Sequence, residues 1–147
     1  MKRIHLHVNV DPTRFVDSIS FYSTLFGVDP TVTRDRYAKW LLDDPALNFT
    51  LEVLEIEGDL PGIHHVGLQV EEPHELEAIR QALRAAQAPL LEVGRTQCCF
   101  ADSEKHWTAD PQGVRWETFR SFGQLEHYGE KTDEELALYT KSVADEA

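Results

Sequence analysis

What limits the fold of this chain most is an internal repeat. Arg3-Ile4-His5-Leu6-His7-Val8-Asn9-Val10 returns as Ile63-His64-His65-Val66-Gly67-Leu68-Gln69-Val70, with His5 and His65, and again Val10 and Val70, sixty positions apart. Alternation of period two marks both stretches as strands. In the first, Ile4, Leu6, Val8 and Val10 share one face, and His5, His7 and Asn9 the other. In the second, Val66, Leu68 and Val70 oppose His65, Gly67 and Gln69. Each half of the chain therefore opens with a strand that buries an apolar face and carries a histidine on its polar one.

The residues after each strand follow the same order. Asp11-Pro12-Thr13 caps a helix whose apolar positions Phe15, Ile19, Tyr22, Leu25 and Phe26 recur at helical spacing, and Gly27 closes it. Tyr37 to Leu42 reads as a strand, Asp43-Asp44-Pro45 as a turn, and Leu47 to Leu54 as a strand with Asn48, Thr50 and Glu52 on its polar face. After the linker Gly58–Gly62 the second half repeats: strand 63–70, then a helix around Leu76, Ile79, Leu83 and Ala86 that ends before Pro89. Short strands are expected at Leu90–Val93 and Gln97–Ala101, a turn at Asp102–Lys105, a hairpin loop at Asp110-Pro111-Gln112-Gly113, and a last strand at Val114–Phe119. Glu117 then holds the place in the second half that Glu52 holds in the first, sixty-five positions on.

The pattern predicts one α+β domain over residues 1–122, built from two βαβββ modules at about 1–58 and 62–122. Residues 123–147 read as an acidic C-terminal extension, with a helix opening at Thr132-Asp133-Glu134-Glu135. A length of 147 residues is enough for a sizeable core. A formal net charge of −12, with no Lys/Arg cluster, argues against nucleic acid and anionic membrane surfaces as partners. No apolar run approaches a membrane span and no leader is evident, so a cytoplasmic location is expected. Cys98 and Cys99 are the only cysteines. Adjacent Cα atoms lie about 3.8 Å apart, short of the roughly 4.4 Å at which disulfides begin, so the two read as free thiols.

If the modules bring equivalent strands together, His5, Glu52, His65 and Glu117 share one cavity. Two imidazoles with one or two carboxylates suit Fe(II), Mn(II), Ni(II) or Zn(II). One carboxylate makes a two-His, one-Glu triad with positions left for substrate and O₂. Two make a four-ligand site suited to Lewis-acid and proton-transfer chemistry. His7 shares the polar face and reads as a group one step removed from the ion, whereas strand alternation sends His64 to the opposite face, structural or exposed. Adjacent thiols suit a thiophilic centre such as As(III) or Cd(II), but on a regular strand they diverge, so joint binding needs a bulge or a loop.

These residues are recognisable together. His5-x-x-Val-Asn-Val10, Phe21-Tyr22-x-x-Leu25-Phe26-Gly27, His65-x-Gly67-x-x-Val70 and Asp110-Pro111-x-Gly113-x-x-Trp116-Glu117 resemble the glyoxalase/bleomycin-resistance/dioxygenase group, the vicinal oxygen chelate superfamily, from about Lys2 to Phe122. The resemblance implies paired βαβββ units in a curved, partly closed mixed sheet around a divalent metal. It implies His5, His65 and Glu117 as ligands, with Glu52 matching the fourth ligand of glyoxalase I. Cys98-Cys99-Phe100-Ala101 followed by Lys105-x-Trp107 is similar to the cadmium-induced protein and organoarsenical C–As lyase branch. That branch implies Fe(II)- and O₂-dependent cleavage of trivalent organoarsenicals held by Cys98 and Cys99, with Lys105 a further substrate-binding candidate. Phe100 stands where the branch has Tyr, Glu104 where it has Asp, and Glu52 where it is often apolar. The alternatives are a glyoxalase I-like isomerase or lyase on Ni(II) or Zn(II) with Glu52 as ligand and base, and a protein that sequesters a drug or thiophilic ion without turnover. A small-molecule substrate is expected in the first two cases, and a homodimer is compatible with all three.

Overall fold

The structure, a computed structural model, describes residues 1–129, with the backbone alone at 97–101 and 123–129. The expected helix at Thr132 lies outside the described residues. The chain divides into two compact units, one of residues 3–66 and the other of residues 1–2 and 67 onward.

The first unit runs β1 (Arg3–Val10), α1 (Phe15–Phe26), β2 (Val32–Arg34), β3 (Tyr37–Asp43) and β4 (Ala46–Val53), and it takes in the start of β5 (Gly62–Val70). This is the expected β-α-β-β-β order, with β2 a short strand that the sequence pattern did not mark. Asp11 caps the turn into α1 by accepting from the Thr13 amide at 2.8 Å. Gly27 ends the helix in the left-handed conformation at φ 73°, its N–H donating to the Ser23 carbonyl. β2 and β3, and β3 and β4, pair antiparallel; β4 lies parallel to β1, with His5 beside Asn48, His7 beside Thr50 and Asn9 beside Glu52.

That register fixes two faces. Val10, Phe15, Ala38, Trp40, Phe49, Leu51 and Val53 form the core, and Ile19, Tyr22 and Phe26 of α1 pack on it. Tyr22 meets Phe49 with ring centroids 4.3 Å apart, and the Trp40 indole donates to the Val28 carbonyl at 3.0 Å. The opposite face carries His5, His7, Asn9, Lys39, Asn48, Thr50 and Glu52, and every one of them is buried.

The second unit contains the end of β5, α2 (Pro73–Ala85), β6 (Leu91–Ala109) and β7 (Arg115–Gly129). A reciprocal capping box between Glu72 and Glu75 opens α2, and the helix stops before Pro89 as expected. The expected strands at 90–93 and 97–101 are not separate, and the expected turn at Asp102–Lys105 is not a turn. All belong to β6, which pairs antiparallel with β7. The reason lies in the burial: Ser103 and Lys105 are buried while Asp102 and Glu104 are half-buried, so a period-two strand with polar residues on both faces resembles a polar turn. The ladder is not regular throughout. Its register slips between Cys99 and Ala101, where Cys99 faces Gly129 but Ala101 faces Gln124, and again between Asp102 and Ser103. At the hairpin, the Asp110 carboxylate accepts from the amides of Gln112 and Val114, each at 2.9 Å. β7 continues through Gly129, past Phe122 where the sequence signal fades. No helix among the described residues is long and apolar enough to cross a membrane.

Candidate metal centre

His5, His7 and His65 each offer a ring nitrogen within 4.8 Å of the others, and all three side chains are buried. The three lie within residues 3–66, on β1 and the start of β5. His5 and His65, the two repeat-related histidines, have ring centroids 5.3 Å apart; His7 and His65 are stacked at 4.6 Å; His5 and His7 are 6.2 Å apart.

Local hydrogen bonds decide which nitrogen each ring can offer. His5 Nδ1 lies 3.1 Å from the Asn48 backbone carbonyl and 3.2 Å from its side-chain oxygen. Both are acceptors, so Nδ1 carries the proton and Nε2 is the donor atom for an ion. The parallel register that sets His5 beside Asn48 is what positions this bond. His65 Nδ1 lies 2.8 Å from His64 Nδ1. One of these two nitrogens must donate and the other accept; a metal on His65 Nε2 makes His65 the donor and His64 the acceptor. His64 is therefore part of the cluster, its ring centroid also 5.7 Å from that of His7. Strand alternation had sent it to the other face; the imidazole turns back across the strand to reach its neighbour's ring. The sequence signal for His7 was present, since His5-Leu6-His7 puts two imidazoles on one strand face.

Glu52, 2% exposed, stands on β4 beside Asn9 and opposite Tyr37 of β3, on the same polar face as His5 and His7. Glu117 belongs to the other unit. There it is buried and ion-paired with buried Lys105 across the β6–β7 ladder, Oε1 to Nζ 3.2 Å. Lys105 Nζ also lies 5.9 Å from the centre of the Trp107 ring. Cys98 and Cys99 sit on β6 beside the first register slip; their side chains fall outside the described residues. The donor set fits a divalent cation. Three buried imidazoles are neutral ligands that cost little to desolvate, and the Asn48 bond already presents Nε2 of His5.

A fold of this order with clustered histidines defines a class, and the sequence comparison agrees with it. The profile of the Glyoxalase/Bleomycin resistance protein/Dioxygenase superfamily matches residues 6–118, and the chain belongs to that superfamily. A protein of Bacillus sp. (strain MD1) described as a trivalent organoarsenical cleaving enzyme is 40% identical over 119 residues, 78% of this chain and 71% of that one. The cadmium-induced protein CadI of Mycobacterium tuberculosis (strain ATCC 25618 / H37Rv) is 34% identical over 132 residues, 88% of this chain and 82% of that one. Among solved structures, the Mn(II)-bound glyoxalase from Novosphingobium aromaticivorans matches with a TM-score of 0.61 at 14% identity, over 90% of this chain and 44% of that chain. The last is a likeness of fold.

Proposed function

We propose that this chain cleaves the carbon–arsenic bond of trivalent organoarsenicals in a reaction that depends on Fe(II) and O₂. The observation that carries the reading is the meeting of His5 and His65, sixty residues apart in sequence, with the Asn48 bond selecting Nε2 of His5. The descriptions of the Bacillus and mycobacterial relatives favour a thiophilic substrate.

His5 and His65 would hold the ion, with Glu117 as the carboxylate ligand. Iron bound there would supply the O₂ chemistry that no side chain offers. The remaining work belongs to the chain. Cys98 and Cys99 capture the arsenical: the two hydroxyls on trivalent arsenic are exchanged for two cysteine sulfurs, forming two As–S bonds and releasing two waters. Soft sulfur is the natural partner for As(III). Joint capture requires the two thiols to depart from strand alternation, and the nearest irregularity of the ladder is the register shift between Cys99 and Ala101. Capture fixes the C–As bond in place, so much of the rate enhancement is positioning. Lys105 compensates the buried charge of Glu117 and supplies a cation on the same ladder. A homodimer belongs to the same reading and is checked by light scattering.

Cys98→Ser or Cys99→Ser should abolish methylarsenite turnover in air while metal content stays intact; loss of metal in these variants would count against the assignment. A second reading is favoured by one observation, that Glu52 is buried on the same polar face as His5 and His7. In it Glu52 is ligand and base of an isomerase or lyase on Ni(II) or Zn(II). Activity without O₂ that vanishes in Glu52→Gln would select it, and stoichiometric As(III) or Cd(II) binding without product would select sequestration.

A further inference from the structure

We propose that His7 is a direct metal ligand, so that His5, His7 and His65 form a three-imidazole site complete within residues 3–66. The inference rests on the chain binding a metal and not on which substrate it turns over.

Residues two apart on a strand share a face with their Cα atoms roughly 6.6 Å apart. Two imidazoles projecting from such positions can converge on one ion, because each ring reaches inward well past its Cβ. His5 and His7 are so placed, and both are buried. Two cis imidazoles on a first-row ion have ring centroids roughly 4.4–5.1 Å apart, given metal–nitrogen distances of about 2.0–2.1 Å. The His7–His65 separation of 4.6 Å falls inside that range, and the His5–His65 separation of 5.3 Å is just above it. By separation alone His7 stands as close to His65 as His5 does, but its interplanar angle of 25° means that its ring must also turn, because an ion shared by two imidazoles lies in the plane of both. The His5–His7 pair at 6.2 Å is the one that must close. The donor atoms lie within 4.8 Å of one another, against roughly 3 Å on a bound ion, so ligation draws the rings inward by about an ångström each.

The supporting role first assigned to His7 is filled elsewhere. A histidine that orients a ligand does so through an in-plane hydrogen bond to the ligand's other nitrogen. For His65 that bond comes from His64, and for His5 from Asn48. His7 lies over His65 at an interplanar angle of 25°, a stacked arrangement in which the rings cannot make an in-plane N–H···N bond to each other. His7 is thus not the group that orients His65, and its ring nitrogen lies within 4.8 Å of those of His5 and His65. A third imidazole makes the site richer in nitrogen than a two-His, one-carboxylate set. It should raise the standing of Co(II), Ni(II), Cu(II) and Zn(II) against Mn(II), and let the ion be retained when Glu117 is neutralised.

The test reads metal binding on the full chain. In the wild type loaded with Cu(II), electron spin-echo modulation counts coordinated imidazoles, and three are expected. Chelator competition with Co(II) should show affinity falling at least tenfold in His7→Leu, comparably to His5→Leu, with an altered d–d spectrum at saturating Co(II). Glu117→Gln should keep the ion. A count of two, or a His7→Leu protein whose Co(II) affinity and spectrum match the wild type while His5→Leu loses both, overturns the assignment. The wild-type count needs no variant, so a folding defect in His7→Leu leaves the answer intact. Failure of arsenical turnover alone would bear on the proposed substrate and leave this count unchanged.

Discussion

Two nitrogen contacts set the character of the centre. His5 is held by two acceptors of one residue, the Asn48 backbone and side-chain oxygens. Asn48→Ala removes only the second, so metal affinity should fall by less than tenfold, below the usual range for losing an orienting partner. His65 Nδ1 instead meets the ring of the residue before it, at 2.8 Å from His64 Nδ1. His64→Leu should weaken Co(II) binding about 10–100-fold, and His64→Asn, which restores a carbonyl acceptor, should recover most of it. Equal losses in both variants, measured by chelator competition, would mean that His64 acts by packing. These two bonds also explain what could be read from the sequence. His5 and His65 were legible because period-two alternation isolates them on polar faces that recur. His64 was not, because alternation fixes where Cβ points and not where a long flat ring ends. Asn48 was not, because the parallel pairing of β1 with β4 has no local sequence signature.

The elements around the centre differ in what they contribute. Leu51 and Trp40, both fully buried, tie β3 and β4 to the core under α1. Leu51→Ala should lower unfolding free energy by about 2–5 kcal/mol in urea melts, the usual cost of a cavity at such a site. Gly27→Ala should cost about 1 kcal/mol, because φ 73° strains any residue with a Cβ. On the other unit, buried His106 of β6 lines a cavity of about 130 Å³ with Leu76, Glu77 and Arg80 of α2. Burial lowers its pKa from the usual 6.5, with Glu92 and Glu77 acting in the opposite sense. The unfolded chain thus takes up a proton near pH 6.5 that the folded chain resists. Stability from this group is complete above pH 6.5 and declines as pH falls from there toward the folded pKa. The urea midpoint of His106→Gln should therefore fall less than that of the wild type between pH 7.5 and 5.5. Strand β6 itself was half legible. Its ends carry alternating apolar residues, but its centre buries Ser103 and Lys105, and a strand that faces an ion pair inward has no apolar stripe to announce it.

For the molecule as a whole, the division at Val66 and Gly67 turns metal binding into a mapping experiment. A ligand at a hundred times its Kd adds about 2.7 kcal/mol of stability, which in a domain of this size is a melting-point rise of roughly 5–10 °C. Hydrogen exchange should locate that gain. Protection confined to β1, β4 and the start of β5 on adding Zn(II) would follow from the histidines alone, and added protection at β7 would follow from Glu117 joining them. The repeat made the first unit legible almost element by element, whereas the second departs from it because the expected short strands and the turn after them run together into β6, which pairs with a lengthened β7. The slips within that hairpin have an evolutionary consequence. In an unbroken ladder one inserted residue turns every later side chain to the wrong face. Here Cys99 is registered against Gly129, while Lys105 through Ala109 are registered against Phe119 back to Arg115, with two slips between. Residues can be gained or lost near Phe100 without turning Lys105 away from Glu117. The thiol-bearing stretch is thereby free to differ in length while the same buried ion pair is kept.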